Sequence, residues 1–221
     1  MKRILLLIII TVLSITLVGC KKDETETMQY DIPEEETIIK TTLPYYEYMK
    51  LNNPVVTITV KGMGDIVIEL FPSEAPNTVE SFIAYAERGD YENNQFHRII
   101  EDFMIQGGKL TSPSCSIQGE MNNNPDFSGD NSISHLRGVI SMARVGGLYN
   151  SGSSQFFIVH EDSVFLDDEY APFGGVISGF NILDYIAAVE TNSGDAPLEG
   201  VLIEDITVEL NGYVAGTPVC E

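Results

Sequence analysis

The chain has 221 residues, of which 33 are Asp or Glu and 12 are Lys or Arg, so its formal charge is −21 at pH 7. A charge of this sign excludes nucleic acid and anionic lipid headgroups as partners, because both are bound by basic surfaces. No internal repeat is visible, and the roughly 160 residues after position 53 are enough for one domain with a proper core.

The first residues have the form of an export signal, predicted over 1–19. Lys2 and Arg3 precede an uncharged apolar run, 4–18, which is too short for a transmembrane helix of about 20 apolar residues. The run ends in "LVGC", which resembles the lipobox of bacterial lipoproteins. The resemblance implies a lipid anchor at Cys20 and a location outside the cytoplasm, on a bacterial cell membrane. The alternative is an ordinary secretory signal followed by an incidental cysteine.

An acidic segment follows the expected anchor, so residues 20–53 are interpreted as a lipidated cysteine and a tether. The run from Lys21 to Asn53 is rich in Glu, Asp and Thr and has little apolar periodicity, which is typical of a solvated spacer. Part of it, Tyr45 to Met49, is a candidate for packing on the domain. A charged spacer is favoured here over a dedicated binding segment.

The domain is predicted over 54–212, with a C-terminal tail over 213–221. Short runs of β-forming residues recur between turn signals, and the residues "KGMG" after the first run predict a hairpin. Eight runs are predicted as strands: Val55 to Val60, Asp65 to Leu70, Phe96 to Ile100, Phe103 to Gly107, Gly138 to Ala143, Gln155 to Val159, Phe173 to Ile177 and Leu202 to Leu210.

Two segments have the apolar spacing of helices, which is i, i+3, i+4, i+7. They are Pro76 to Gly89, where the final glycine suits a C-terminal stop, and Asn181 to Glu190. Eight strands with two helices predict a mainly β fold, namely a closed eight-stranded antiparallel β-barrel whose ends the two α-helices cap.

Several chemistries find little support in the sequence. The three histidines are scattered without metal-ligand spacing, so no metal and no cofactor is expected. The Ser-rich run from Ser151 to Ser154 lacks the nucleophile elbow of α/β-hydrolases, and a hydrolase remains a minor alternative. Cys115 and Cys220 can pair outside the cytoplasm. Nothing in the sequence brings them together, so the unpaired state is favoured and the pair stays open.

The stretch "NNQFHRIIEDFMIQGG", 93–108, carries the densest set of polar side chains. Successive strand residues face opposite ways, so Arg98 is expected to share a face with Phe96 and Ile100. After the turn, Met104 and Gln106 share a face. One side of this predicted hairpin therefore presents Arg, Met and Gln together.

The other polar residues of this stretch are interpreted structurally. His97 is expected to share the opposite face with Ile99 and to be a satisfied core residue rather than a catalyst. Glu101 and Asp102 lie between two predicted strands, where acidic residues commonly form turns. No Cys or Ser nucleophile is adjacent.

These motifs, with "GVISMAR", "NSGSSQFFIV", "FLDDEYAPFGGVISG" and a closing "ITV", resemble the signature series of cyclophilin-type peptidyl-prolyl cis-trans isomerases. The resemblance runs in the family's order over about 55–210. It implies an eight-stranded barrel with two capping helices, a shallow proline-binding groove on the outer wall, and Xaa-Pro segments of unfolded or exported proteins as partners. A monomer is expected.

Matched to that series, Arg98 takes the place of the catalytic arginine and Gln106 that of its polar partner. The resemblance implies a proline pocket of Phe103, Met104, Phe157 and Leu166, contact of Gln155 with substrate backbone, and binding of the residue before proline at Ala143 and Arg144. Phe165 and Tyr170 stand where many members have an indole and a pocket histidine, and Arg144 replaces a common Asn. The alternative to an enzyme is a non-catalytic module of the same fold that binds Pro-containing segments.

Overall fold

The computed structural model describes residues 30–221. The predicted signal over 1–19, the predicted lipidation site Cys20 and the first part of the tether lie outside the described residues. Within 30–221, no helix is both long enough and apolar enough to cross a membrane.

The described chain forms one curled antiparallel sheet of nine strands and two α-helices. The strands are β1 (Val55–Val60), β2 (Gly64–Leu70), β3 (Asn94–Gln95), β4 (Arg98–Ile100), β5 (Met104–Gly107), β6 (Val139–Met142), β7 (Phe156–Val159), β8 (Ala171–Ser178) and β9 (Leu202–Glu209), and the helices are α1 (Pro76–Glu87) and α2 (Phe180–Ala187). Their order across the sheet is β3-β9-β1-β2-β8-β6-β7-β5-β4. All eight predicted strands and both helices are present, which confirms the mainly β architecture.

The ninth strand, β3, lies just before the predicted run Phe96 to Ile100, of which Arg98 to Ile100 forms β4. β3 pairs with β9 and β4 pairs with β5, and β3 and β4 are the two edges of the sheet. Between them, the Phe96 amide donates to the Val201 carbonyl at 3.0 Å and the His97 amide donates to the Gln106 carbonyl at 2.9 Å. A single extended segment therefore joins both edges of the curled sheet.

The change of pairing partner between β3 and β4 alters which side chains share a face. Ile99 and Phe96 both lie in the interior core, with 1% and 0% of their surface exposed. The prediction that Phe96 shares the outer face with Arg98 was wrong, because strand alternation does not continue across a break in pairing. Within β4 itself the alternation holds, since Ile99 is interior and Ile100 packs against a second, outer cluster.

The interior core is completed by the helices. The apolar face predicted for α1 is buried, at Val79, Phe82, Ile83 and Ala86. Pro76 at the first turn and Gly89 just after the helix, with φ of +70°, match the expected start and stop. The core also contains Phe156 and Phe173, whose ring centroids lie 5.4 and 5.3 Å from that of Phe82.

The segment before β1 packs on the sheet over more of its length than predicted. Tyr45 was expected to contact the domain, and it is buried with its hydroxyl donating to the Val176 carbonyl. Farther upstream, the Glu35 carboxylate accepts from the amides of Gly179 and Phe180 at the start of α2, at 2.6 Å each. We call Tyr30 to Asn53 the N-terminal strap.

The C-terminal tail is also attached. Cys115 and Cys220 form a disulfide that spans 105 positions of the sequence, so the favoured unpaired state was wrong. The Asn77 side chain in α1 donates to the Val219 carbonyl at 3.0 Å and accepts from its amide at 2.7 Å. Pairing could not be inferred from the sequence because the contact depends on how the tail folds back over α1.

Candidate active site

Strand register places the predicted catalytic residues side by side. Arg98 on β4 is paired with Gln106 on β5, and Gln106 is paired with Phe157 on β7. Residues directly opposite in antiparallel strands point to the same face, with Cβ atoms about 4.5–5.5 Å apart. The register therefore forms a row of Arg, Gln and Phe on the outer face of the sheet, with Met104 in the adjacent row.

A groove with an apolar floor runs along this row. The groove has a volume of about 150 Å³. Met104, Phe157 and Leu166 form its buried floor, with 2%, 5% and 7% of their surfaces exposed. The structure brings together nine of the predicted site residues as the lining: Arg98, Phe103, Met104, Gln106, Ala143, Arg144, Phe157, Leu166 and Tyr170.

The two predicted site residues outside this lining contact it from the rim. Gln155 accepts a hydrogen bond from Nε2 of Gln106 at 3.0 Å, so its side chain extends the polar edge of the groove. Phe165 is 70% exposed, and its ring centroid lies 5.5 Å from that of Phe103. Phe165 therefore extends the apolar wall without forming part of the floor.

Arg144 is held by its neighbours and points along the wall. Its Nε donates to the Glu169 carbonyl at 2.7 Å, and a terminal nitrogen bonds the Glu169 carboxylate at 2.8 Å. Its guanidinium lies over the rings of Tyr149 and Tyr170, at 4.8 Å from each centroid. Only 6% of its side chain is exposed, so Arg144 is a fixed part of the groove wall.

His97 differs from its prediction as a satisfied core residue. The residue is half-buried, and its Nδ1 has no hydrogen-bond partner within the described residues. Burial lowers the pKa of His97, and Lys109 lowers it further. The imidazole is therefore neutral near pH 7 and does not lie in the groove lining.

A buried polar network beneath the groove floor was missed at the sequence level. Nδ1 of His135 lies 2.9 Å from the Asp167 carboxylate, and its Nε2 lies 3.0 Å from the Ser141 hydroxyl. The ring stacks on Phe157 at 6.0 Å between centroids. Burial lowers the pKa of His135, although Asp167 raises it. A neutral ring then donates from Nδ1 to Asp167 and accepts from Ser141.

This Ser-His-Asp arrangement does not have the access that a hydrolase needs. Ser141 and His135 are both 0% exposed, so no substrate carbonyl can reach the hydroxyl. In the Ser-rich run, the Ser151 hydroxyl donates to the Leu148 carbonyl at 2.6 Å and accepts from the Val145 amide, and Ser154 is 1% exposed. No cluster of three or more His, Cys, Asp or Glu side chains suited to a metal ion occurs in residues 30–221.

A second missed residue touches the predicted catalytic arginine. Nε of Arg98 donates to the carboxylate of Asp195 at 3.2 Å. Asp195 lies in the loop between α2 and β9, 97 positions away in the sequence. The turn-forming residues "TNSGDAP" indicate a loop there. Nothing in them indicates that the loop returns to β4.

Comparison with known proteins agrees with this geometry. A family model described as cyclophilin type peptidyl-prolyl cis-trans isomerase/CLD matches residues 55–208. The chain belongs to this family. As a cyclophilin it has the isomerase fold and the outer groove that the motifs predicted, and its matched region begins at β1 and ends within β9.

This cyclophilin spans very different shares of its relatives' lengths. A peptidyl-prolyl cis-trans isomerase of Arabidopsis thaliana is 39% identical over 153 residues, which are 68% of this chain and 93% of the relative. A peptidyl-prolyl cis-trans isomerase-like 2 protein of Gibberella zeae is 37% identical over 153 residues, but the chain spans only 26% of its length. The chain spans 46% of a relative from Streptococcus pyogenes.

Solved structures give the same family. The crystal structure of a cyclophilin type isomerase from Cryptosporidium parvum has a TM-score of 0.64 and 29% identity, and the match covers 71% of this chain and 98% of that one. A second crystal structure of that protein was determined in the presence of the dipeptide Ala-Pro, with a TM-score of 0.63.

Proposed function

We propose that this cyclophilin catalyses cis-trans isomerisation of Xaa-Pro bonds in exported proteins, with Arg98 as the catalytic group. The observation that carries the proposal is the row of Arg98, Gln106 and Phe157 along a small groove with an apolar floor. A groove with the guanidinium of Arg98, two amides and an apolar floor suits a reaction that breaks no covalent bond. The Ala-Pro dipeptide of the Cryptosporidium parvum structure is consistent with this substrate class.

The chemistry required is stabilisation of a twisted amide. Uncatalysed Xaa-Pro isomerisation crosses a barrier of about 20 kcal/mol, because the partial double bond must rotate. At the midpoint, resonance is lost and the prolyl nitrogen becomes pyramidal and able to accept a hydrogen bond. A guanidinium directed at that nitrogen binds the twisted state better than either planar state, which is catalysis by differential binding.

The pocket supplies the second part of the mechanism. Met104, Phe157 and Leu166 hold the proline ring while the preceding carbonyl rotates. A millionfold acceleration corresponds to about 8 kcal/mol, whereas one hydrogen bond to a charged group contributes about 1.5–3 kcal/mol. Clamping of the ring and preorganisation of Arg98 must therefore provide the remainder.

The test is replacement of Arg98 by alanine. The exchange rate between cis and trans forms of a model Xaa-Pro peptide is measured by NMR with the purified full-length chain in detergent micelles. Arg98→Ala is expected to lower the catalysed rate about 10²- to 10³-fold, as removal of a preorganised donor does in other enzymes. Arg88→Ala is the matched control, because Arg88 is paired with Asp90 on the surface away from the groove.

Two outcomes would count against the proposal. A rate near that of the wild type for Arg98→Ala would exclude Arg98 as the catalytic group. Tight binding of the peptide by the wild-type chain with no acceleration would instead support the non-catalytic binding module.

The site of action is proposed from the sequence. The lipobox-like "LVGC" supports cleavage before Cys20, lipidation of that residue and attachment to the outer side of a bacterial cell membrane. There the protein would act as a monomer on client proteins as they emerge from export. Two or more acyl chains give stable anchoring. Cys20→Ala is expected to move the protein from the membrane fraction to the soluble fraction, and an unchanged distribution would contradict the anchor.

A further inference from the structure

We propose that Asp195 is a positioning residue for Arg98, holding the guanidinium so that its terminal nitrogens face the groove. This inference rests on the proposed role of Arg98 in catalysis. It extends that role to a loop that contributes nothing to the lining of the pocket.

The contact geometry suits positioning. Asp195 accepts from Nε of Arg98 at 3.2 Å, and Nε is the lateral nitrogen of the guanidinium. A bond at that atom fixes the plane of the group and leaves both terminal nitrogens available for a substrate. Asp195 is the one carboxylate within ion-pair distance of Arg98 among residues 30–221.

Burial alone does not order the arginine. The side chains of Arg98 and Asp195 are 42% and 41% exposed, and a long, partly exposed arginine samples several rotamers. Catalysis by a directed hydrogen bond requires one of them, since small errors in placement reduce rates strongly. A partner that holds Arg98 in the productive rotamer therefore raises the isomerisation rate.

The backbone fixes Asp195 relative to the strand that carries Arg98. The Asp195 carbonyl accepts from the Ile99 amide at 2.8 Å, so the loop is bonded to β4 one residue after Arg98. Asp195 has φ of +63°, a left-handed conformation that Asp adopts more readily than most residues. One residue thus contacts β4 through both its carbonyl and its carboxylate.

The loop is also rigid within itself. The Asp195 amide donates to the Asn192 carbonyl at 3.0 Å. The Asn192 side chain accepts from the amides of Gly194 at 2.8 Å and Ala196 at 3.3 Å. These bonds close a compact turn, so the carboxylate is presented to Arg98 by a fixed scaffold.

The ion pair has opposing effects on catalysis. The carboxylate offsets part of the positive charge of Arg98, which weakens its attraction for the prolyl nitrogen. It also orders the donor, and we expect ordering to dominate because the twisted amide is neutral and depends on hydrogen-bond direction. Loss of Asp195 should therefore slow the reaction.

The experiment measures the peptide exchange rate and the peptide dissociation constant by NMR for the full-length chain. Asp195→Ala is expected to lower the rate at saturating peptide about fivefold, which corresponds to the upper end of the free energy contributed by an exposed ion pair. The affinity for the peptide should change less than about twofold. Asp195→Asn, which keeps an oxygen acceptor, should lose less. Asp90→Ala is the matched control and should equal the wild type, because Asp90 pairs with Arg88 outside the groove.

Coupling to Arg98 separates positioning from a general structural effect. In an Arg98→Ala background, which lacks the guanidinium, Asp195→Ala is expected to cause no further loss of the residual rate. An equal loss in both backgrounds, or a wild-type rate for Asp195→Ala, overturns the proposal. If exchange protection of the Ile99 amide falls in Asp195→Ala, Asp195→Asn decides. Asn keeps the oxygen acceptor, so positioning predicts a rate between those of Asp195→Ala and the wild type, and a loss as large as that of Asp195→Ala with Ile99 protection retained refutes it. Failure of the proposed function is distinguishable, because Arg98→Ala would then itself remain active.

Discussion

Replacing Tyr45 by alanine tests whether the N-terminal strap is part of the folded domain. Tyr45 is 1% exposed and lies against two glycines. A Cβ at Gly175 would collide with its ring, and a Cβ at Gly138 would lie 2.6 Å from its hydroxyl. The ring also packs in the outer apolar cluster with Met104 and Phe157, which form the groove floor. Tyr45 therefore links the strap to the apolar cluster that contains the groove floor.

The expected cost follows from this burial. Truncation of a buried aromatic side chain to alanine costs about 3–5 kcal/mol, because the transfer free energy is lost and a cavity remains. For a folded unit of this size the melting temperature falls about 2–4 °C per kcal/mol, so Tyr45→Ala should lower it by about 6–20 °C. Tyr45→Phe deletes only the hydroxyl and leaves the Val176 carbonyl without this donor, which costs about 1–3 kcal/mol.

The assay is urea unfolding of the full-length chain followed by circular dichroism. Tyr46→Ala is the matched control, since Tyr46 is 49% exposed and should change the free energy of unfolding by less than about 0.5 kcal/mol. Equal unfolding curves for Tyr45→Ala and the wild type would refute the reasoning. A fragment that begins at Pro54 lacks the strap and is expected to be at least as unstable as Tyr45→Ala.

Two further predictions concern stability. Cys115→Ser removes a cross-link between positions 105 apart and should lower the free energy of unfolding by about 2–4 kcal/mol; identical urea curves with and without reductant would contradict this. Burial lowers the pKa of His135 below its ordinary 6.5, so below pH 6.5 the folded protein binds fewer protons than the unfolded chain. The contribution of His135 to the free energy of unfolding should be fully present above pH 6.5 and should be lost as the pH falls below that value. An NMR titration that places the His135 pKa at or above 6.5 would argue against it.

Local sequence pattern was sufficient for most of the scaffold. The helix over Pro76–Glu87 was predictable because its apolar residues repeat every three to four positions and its ends carry Pro and Gly. Short β-rich runs between turns located eight strands. Alternation also placed Met104 and Gln106 on one face, and the burial of the intervening Ile105 in the interior core agrees with that alternation.

Prediction failed where a contact depends on how separate elements of the fold come together. Phe96 was assigned to the outer face because the pattern of a single strand was assumed, but the segment changes partner from β9 to β5 at that point. His135 was treated as an isolated histidine, since its partners Asp167 and Ser141 come from separate elements. Neither relation leaves a periodic signal.

The sequence by itself determined the order of the elements, the family motifs, and the presence of Arg98, Gln106 and Phe157, because these depend on residue types at short spacing. Only the tertiary structure decided that the Cys115–Cys220 pair forms and that Asp195 contacts Arg98. Both contacts join segments about a hundred residues apart. Such contacts depend on how the whole sheet curls and on where its loops return, and no local pattern of residues carries that information.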